Sequence, residues 1–341
     1  MRTHLRWTAA ASAALIAGTV ASVAPAEAAS VPTITVSAPQ YDSPGAIVPV
    51  MVTINHVPQG ATAALTRVTA SNGASVSCSA VKWTNPVRRS YSQKCYVKLP
   101  TKAGSHAIKA TGTVRAAGRT TNLSGTSSRN VLANGVPSPT PMTFTRMYQI
   151  ERCQNTGRNV WLTFDDGGSA KQVRSILATL RKNNVKGRFF FTGAWAAKNP
   201  TLMKEIRSQG HVVANHSYSH PALSKSSNAA VKAEIRRGVQ GTSKPKLLRP
   251  PYAAGAYSTR LDSLARGQGY QLCRWTTDTY DWNGSSASVL AERVRYGDAL
   301  TPPVQAGGVI LMHGTGRNTA TGLQGIISAV KARGLRLEPL R

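Results

Sequence analysis

From Val160 onward the chain alternates short apolar runs with longer amphipathic ones, and this alternation constrains the fold more than any other feature. The runs Val160–Phe164, Arg188–Thr192, His211–Asn215, Lys246–Arg249, Gln271–Thr276, Gly308–His313 and Leu335–Leu340 read as strands. Between them, Lys171–Lys182, Thr201–Gln209, Ala229–Val239, Thr259–Arg266, Ala287–Tyr296 and Leu323–Arg333 read as helices. Strand-helix-strand repetition implies a parallel sheet, and about 200 residues suffice for one α/β domain with a full core. The pattern leaves open whether the sheet closes into a barrel or stays open and doubly wound. No G-x-G-x-x-G follows the first strand, so a dinucleotide site loses its main support.

The first part of the chain has a different grammar. Arg2 and Arg6 precede an Ala-rich apolar stretch to Val23, and Ala26 and Ala28 flank Glu27, the order of a secretory signal peptide over residues 1–29. The stretch falls short of the ~20 apolar residues a spanning helix needs, and no later segment crosses a bilayer. The expected product is a secreted, extracellular monomer, free or held at the cell wall. Residues 30–133 carry short β-type runs separated by Gly, Pro, Asn and Ser, which fits an all-β sandwich of immunoglobulin-like type. Residues 134–141 hold three prolines and read as a semi-rigid linker, and residues 142–341 form the second domain.

Export also governs the cysteines and the charge. Four cysteines in an oxidising compartment imply two disulfides, and their placement pairs Cys78 with Cys95 and Cys153 with Cys273. No C-x-x-C occurs, which argues against a zinc knuckle. The formal charge of +29 would draw the chain to anionic polymers. Its basic residues come as singles and pairs such as Arg88–Arg89, with no interleaved aromatic platform, so nucleic acid is not the expected partner. A solvated basic surface and retention on an acidic cell envelope remain equal readings.

The polar residues fall where strands run out. Asp165 and Asp166 follow the first strand, His216 and His220 the third, Arg249 closes the fourth, Asp278 and Asp281 follow the fifth, and His313 ends the sixth. In parallel α/β folds that carboxyl edge is where active sites assemble. Adjacent carboxylates oppose each other's ionisation unless solvent relaxes them or a cation holds them. Two imidazoles four residues apart plus one carboxylate can bind such a cation with positions left for water and substrate, as in catalytic zinc sites. Non-haem iron oxygenases use the same ligand types. The second aspartate then stays free as a base, and His313 with Asp281 can supply a proton. His211 reads as structural, and His56 and His106 receive no role.

Five segments in order resemble the polysaccharide deacetylases of carbohydrate esterase family 4, the NodB-homology domain. They are Thr163–Gly167 (TFDDG), His216–His220 (HSYSH), Arg249–Tyr252 (RPPY), Asp278–Trp282 (DTYDW) and Leu311–His313 (LMH). The resemblance covers about residues 153–341, and an iron oxygenase accounts for none of the last three segments. It implies a distorted (β/α) barrel with fewer than eight strands, matching the seven strand candidates. It also implies a divalent metal ion, commonly zinc, held by Asp166, His216 and His220. Asp165 is implied as general base with Arg249 holding it, and His313 as general acid tuned by Asp281. The Tyr252 N–H would help stabilise the oxyanion, and Trp282 and Leu311 would wall the acetyl pocket. The implied activity is deacetylation of a polysaccharide, with N-acetylglucosamine units of peptidoglycan or chitin first, acetylxylan ester cleavage second, and an idle wall-binding protein as the non-enzymatic alternative. Two departures stand beside the metal segments: the family commonly has proline where Gly168 stands, and often glycine where Ala253 follows Tyr252.

Overall fold

Strands β1 (Thr33–Ser37), β2 (Ile47–Asn55), β3 (Thr62–Ala70), β4 (Val76–Asn85), β5 (Ser90–Lys98), β6 (Gly104–Ala116) and β7 (Arg119–Val131) build two antiparallel sheets, ordered β1-β2-β5-β4 and β3-β6-β7. The computed structural model describes residues 31–37, 47–71, 76–99, 102, 104–131 and 142–340. The signal peptide expected at 1–29 and the linker expected at 134–141 lie outside the described residues. The two sheets share an apolar core of Val48, Val50, Val52, Ile54, Val97 and Ile108 with their neighbours. Cys78 and Cys95 face each other across the β4–β5 ladder and are bonded, as expected.

The remaining elements are α1 (Phe144–Glu151), β8 (Trp161–Asp166), α2 (Ala170–Lys182), β9 (Gly187–Phe191), α3 (Gly193–Lys198), α4 (Pro200–Ser208), β10 (Val212–Asn215), α5 (Asn228–Arg237), β11 (Lys246–Leu248), α6 (Thr259–Arg266), β12 (Tyr270–Leu272), β13 (Thr277–Asp278), α7 (Ala287–Tyr296), β14 (Val309–His313) and α8 (Thr319–Ala332). Their seven strands pair in parallel in the order β12-β11-β10-β9-β8-β14-β13. Alternate side chains go to opposite faces. Phe189 and Phe191 pack outward with Val173, Ile176, Leu177 and Leu180 of α2, while Phe190 packs inward with Cys153, Leu247 and Cys273. Each such buried aliphatic or aromatic side chain contributes about 1.5–3 kcal/mol. The α2 start is fixed by a capping box in which the Ser169 side chain and Gln172 satisfy each other's backbone N–H.

The sheet must curl, because its two edge strands are neighbours in sequence. Seven flat strands would span about 29 Å at ~4.8 Å per gap. Leu272 and Thr277, on opposite edges, are joined by a segment that reaches at most roughly 17 Å. That segment stitches the seam: the Cys273 N–H donates to the Leu248 carbonyl and the Thr276 N–H to the Val309 carbonyl, both at 2.9 Å. The open doubly wound alternative is thereby removed. The run Gln271–Thr276, read from sequence as one strand, is instead the end of β12 plus the crossing. The expected strand Leu335–Leu340 is also corrected: it makes only the isolated bridges Val160–Leu337 and Val185–Pro339, since Pro339 lacks a ladder donor.

The antiparallel sheets and the curled sheet belong to one compact unit, Pro32–Arg341. β2 is buried along nearly its whole length on both faces. Val48, Val50, Val52 and Ile54 face the sandwich core, whereas Ile47 joins Met147, Ile150, Leu248 and Tyr257 in the apolar cluster of the other half. Polar contacts reinforce the junction. Glu151, buried at the end of α1, accepts from Lys94 Nζ at 2.7 Å and from Tyr96 Oη at 3.2 Å, and Asn85 Nδ2 donates to the Gly297 carbonyl at 2.6 Å. Exposed Arg88 pairs with Glu292 at 2.6 Å.

Candidate active site

Ladder register assembles the inner face. Asp165 of β8 lies opposite His313 of β14 on one side and Phe190 of β9 on the other. Thr163, two residues earlier, lies opposite Leu311, which in turn pairs with Asp278. Side chains two apart share a face, so Thr163 and Asp165 turn inward together while Asp166 stands at the rim.

Arg249, fully buried, holds this face in place. Its Nη1 donates to Asp165 Oδ1 at 2.6 Å and to Thr163 Oγ1 at 2.9 Å, and its Nη2 donates to the Arg274 carbonyl at 2.7 Å. The guanidinium lies 4.0 Å from the Phe190 ring centroid, and Nη2 reaches the sulfurs of Cys273 and Cys153 at 3.4 and 3.7 Å. Those two cysteines are bonded, as expected. The Asp165 carboxylate therefore has one oxygen fixed by arginine and its other, Oδ2, 3.8 Å from His216 Nε2.

Asp166 Oδ1 sits 3.3 Å from His216 Nε2 and 3.2 Å from His220 Nε2. These three donor atoms lie within 4.8 Å of one another. The Arg249 carbonyl, 2.7 Å from His216 Nδ1, can only accept, so Nδ1 carries the proton and Nε2 offers a lone pair. Asp166 Oδ1 is buried with no hydrogen-bond donor. A carboxylate oxygen converging with imidazole lone pairs fits a divalent cation.

The loop bearing the imidazoles is clamped from α5. Glu234 Oε2 accepts from the Tyr218 and Ser219 N–H groups at 2.9 and 2.8 Å, and Asn215 Oδ1 accepts from the Ser217 N–H at 2.8 Å. Left-handed backbone recurs here: φ is 74° at Asp166, 62° at Ser217, 66° at His220, 57° at Tyr252 and 55° at Ala253. Such conformations cost non-glycine residues about 1–2 kcal/mol each and cluster where a site is pre-organised. Both departures from the family pattern have a geometric correlate. Gly168 has φ 129°, closed to a proline ring held near −65°, and Ala253 takes the conformation glycine would adopt without strain.

Opposite the Asp–His–His group, His313 Nδ1 lies 2.8 Å from Asp281 Oδ1, and the His313 N–H donates to Asp281 Oδ2 at 2.7 Å. Thr319 Oγ1 also donates to Oδ2. Burial disfavours the imidazolium, but the hydrogen bond and charge of Asp281, with Asp165 and Asp166 beyond, push His313 up to about 9. Asp278 is pushed up to about 6, chiefly by burial. His211 lies away from this edge: its Nδ1 accepts from the Gly187 N–H at 3.2 Å, and burial lowers it to about 4.

One cavity of about 660 Å³ is lined by Asp165, Asp166, His216, His220, His313 and Leu311. Tyr252 and Trp282 stand at its lip, 55% and 62% exposed, so Trp282, expected to wall the acetyl pocket, lines the cavity from a position open to solvent. The Tyr252 ring packs edge-on against His220 at 4.6 Å. Sequence reasoning missed Glu151, Tyr257 and Arg274, which form a buried chain of hydrogen bonds behind Arg249. Its place as the first acid after Asp42 was the one signal for Glu151. The sandwich contribution to the cavity was missed as well; the unbroken apolar run Ile47–Val52 was its trace.

A curled parallel sheet that collects its acids, imidazoles and one buried arginine at the carboxyl edge is the architecture of the barrel-type α/β enzymes. Residues 153–273 match the polysaccharide deacetylase family model, so this region carries that family's domain. A peptidoglycan-N-acetylglucosamine deacetylase of Bacillus cereus is 36% identical over 191 residues, 53% of this chain and 66% of that protein. The peptidoglycan-N-acetylglucosamine deacetylase PgdA of Listeria monocytogenes is 32% identical over 184 residues, 52% of this chain and 37% of that protein. A bifunctional xylanase/xylan deacetylase of Cellvibrio japonicus is 34% identical over 195 residues, 54% of this chain and 28% of that protein. The chain thus spans less than two thirds of the length of each of these relatives.

Proposed function

We propose that the protein is a secreted, metal-dependent deacetylase that hydrolyses N-acetyl groups of a polysaccharide, with N-acetylglucosamine units of peptidoglycan or chitin as substrate. The observation that carries this reading is the convergence on one cavity of an arginine-held carboxylate, an Asp–His–His group and a histidine paired with Asp281. Asp166, His216 and His220 would hold the cation, zinc by ligand type. When bound, it polarises an acyl oxygen and acidifies a water.

The protein groups divide the proton transfers. Asp165, oriented by Arg249, takes the proton of the attacking water. His313, an imidazolium at neutral pH, gives its proton to the nitrogen as the C–N bond breaks, and Asp281 stabilises that charged ring. The Tyr252 N–H would donate to the developing oxyanion. Leu311 would contact the acetyl methyl, and Trp282, at the lip, would reach the sugar as well as the acetyl group.

Residues 1–29 would be removed on export, leaving the sandwich, the linker over 134–141 and the barrel. The strand orders β1-β2-β5-β4 and β3-β6-β7 correspond to the ABED and CFG sheets of a constant-type immunoglobulin sandwich, which supports that reading of the first domain. The charge of +29 supports retention on anionic wall polymers. No helix among the described residues is long and apolar enough to cross a membrane. A second reading, an acetylxylan esterase, draws support from the xylan deacetylase relative. Acetate release from chitooligosaccharides, peptidoglycan and acetylxylan, each with and without chelator, tests both; no release from any of them would leave only a wall-binding protein.

A further inference from the structure

The cavity is not built by the barrel alone. Met51 of β2 stands opposite Ser37 in the β1 ladder and opposite Lys94 in the β5 ladder, so the three form one row across the sheet. Residues paired across adjacent strands share a face. All three line the cavity that contains Asp165, His216 and His313. The opposite face of β2, with Val50 and Val52, fills the sandwich core, which fixes the direction of the row.

The row is held rigidly and retains binding capacity. Lys94 Nζ gives one hydrogen bond to buried Glu151 at 2.7 Å, and an ammonium has three donors. The Glu151 carboxylate in turn accepts from Tyr257 Oη, which accepts from Arg274 Nη1 at 2.6 Å. The cavity of about 660 Å³ is far larger than an acetyl group and of the size that encloses a whole ligand. In the same cavity, Trp282 offers an exposed ring suited to the C–H face of a sugar.

We propose that Ser37, Met51 and Lys94 form a sugar-binding wall, through which the sandwich takes part in choosing the substrate. Met51 packs on the apolar face of a glycan unit next to the one being deacetylated, and Ser37 and Lys94 donate to its hydroxyls. The occupant, a β-linked oligosaccharide, is taken from the deacetylase reading above.

The test titrates chitotetraose into the full-length protein, followed by calorimetry and by the fluorescence of Trp275 and Trp282, which line the cavity. Met51→Ala removes the apolar contact and Ser37→Trp fills the cleft; each is expected to weaken binding about ten-fold, the loss of a single well-packed contact. Melting temperatures show whether each variant stays folded, and Ser37→Trp, at the end of an edge strand, is informative even if Met51→Ala is not. In steady state the same variants should raise KM for chitotetraose more than they lower kcat. Wild-type affinity in both folded variants overturns the wall, as does a wild-type protein that binds no chitotetraose. If the variants lose binding while the wild type releases no acetate from any glycan, the wall stands and the deacetylase reading falls. If the wild type releases acetate and both variants keep its KM, the chemistry stands and the wall falls.

Discussion

Arg249 and Asp165 form a buried ion pair, with Nη1 2.6 Å from Oδ1, in which the arginine is fully enclosed and the carboxylate meets the cavity. Breaking a buried pair by removing one partner leaves a stranded charge, which costs about 3–5 kcal/mol. Arg249→Met should therefore lower the urea unfolding free energy by about that amount, whereas Arg249→Lys keeps the charge, loses the fork to Thr163 and the Arg274 carbonyl, and should lower kcat more than stability. Equal stability of Arg249→Met and the wild type would contradict the pairing.

Asp165→Asn preserves shape and removes the base. Acetate release should fall by about 10²–10⁴, the usual contribution of a positioned general base. Metal content measured by plasma mass spectrometry should not change, because Asp165 lies outside the Asp166–His216–His220 group. Activity within a factor of two of wild type would remove Asp165 from its assigned role.

Metal retention should depend on the imidazoles. After chelator treatment, reloading with zinc and gel filtration, wild-type protein should hold one equivalent, and the His216→Ala, His220→Ala double variant far less. An equal zinc content in the two proteins would place the cation elsewhere.

The alkaline limb of the pH profile should report His313. Its proton is held to about pH 9, so a step that needs the imidazolium stays available at neutral pH and is lost as the pH rises through that value. Asp281→Asn removes the charge and changes the hydrogen bond that raise His313, and should move the limb down by roughly 1–3 units. An unmoved limb would assign the proton to another group.

Stability should weaken in acid partly through His211. Its folded-state value is about 4 against 6.5 unfolded, so the unfolded chain binds the extra proton between those values. The penalty is absent above pH 6.5, grows as the pH falls, and is complete below about 4. The urea midpoint of wild type should drop faster over this window than that of a folded His211→Gln variant.

Much of the site was readable because its chemistry sits in short segments at strand ends. Asp165 and His313 share a ladder position that follows from where β8 and β14 stop. Longer-range geometry was not readable. Gln271–Thr276 has the composition of a single strand, and only the closing of the sheet decides that Leu272 and Thr277 belong to opposite edges. Leu335–Leu340 has strand-like residues but finds no continuous partner. Arg249 was placed correctly along the chain, yet its partners Thr163 and the Arg274 carbonyl depend on side-chain alternation across the curled sheet. Ile47–Val52 lacks the polar-apolar alternation of a half-exposed antiparallel strand, a sign of cover on both faces; the covering partner comes from residues more than ninety positions away.

That doubly covered strand bears on how the protein can be dissected. A chain trimmed to start at Met142 would strip Ile47 and Tyr96 from the apolar cluster that holds Met147, Ile150 and Tyr257, and leave Glu151 without the ammonium of Lys94. Such a fragment would be prone to self-association, and the activity it showed would describe a vessel with one side missing.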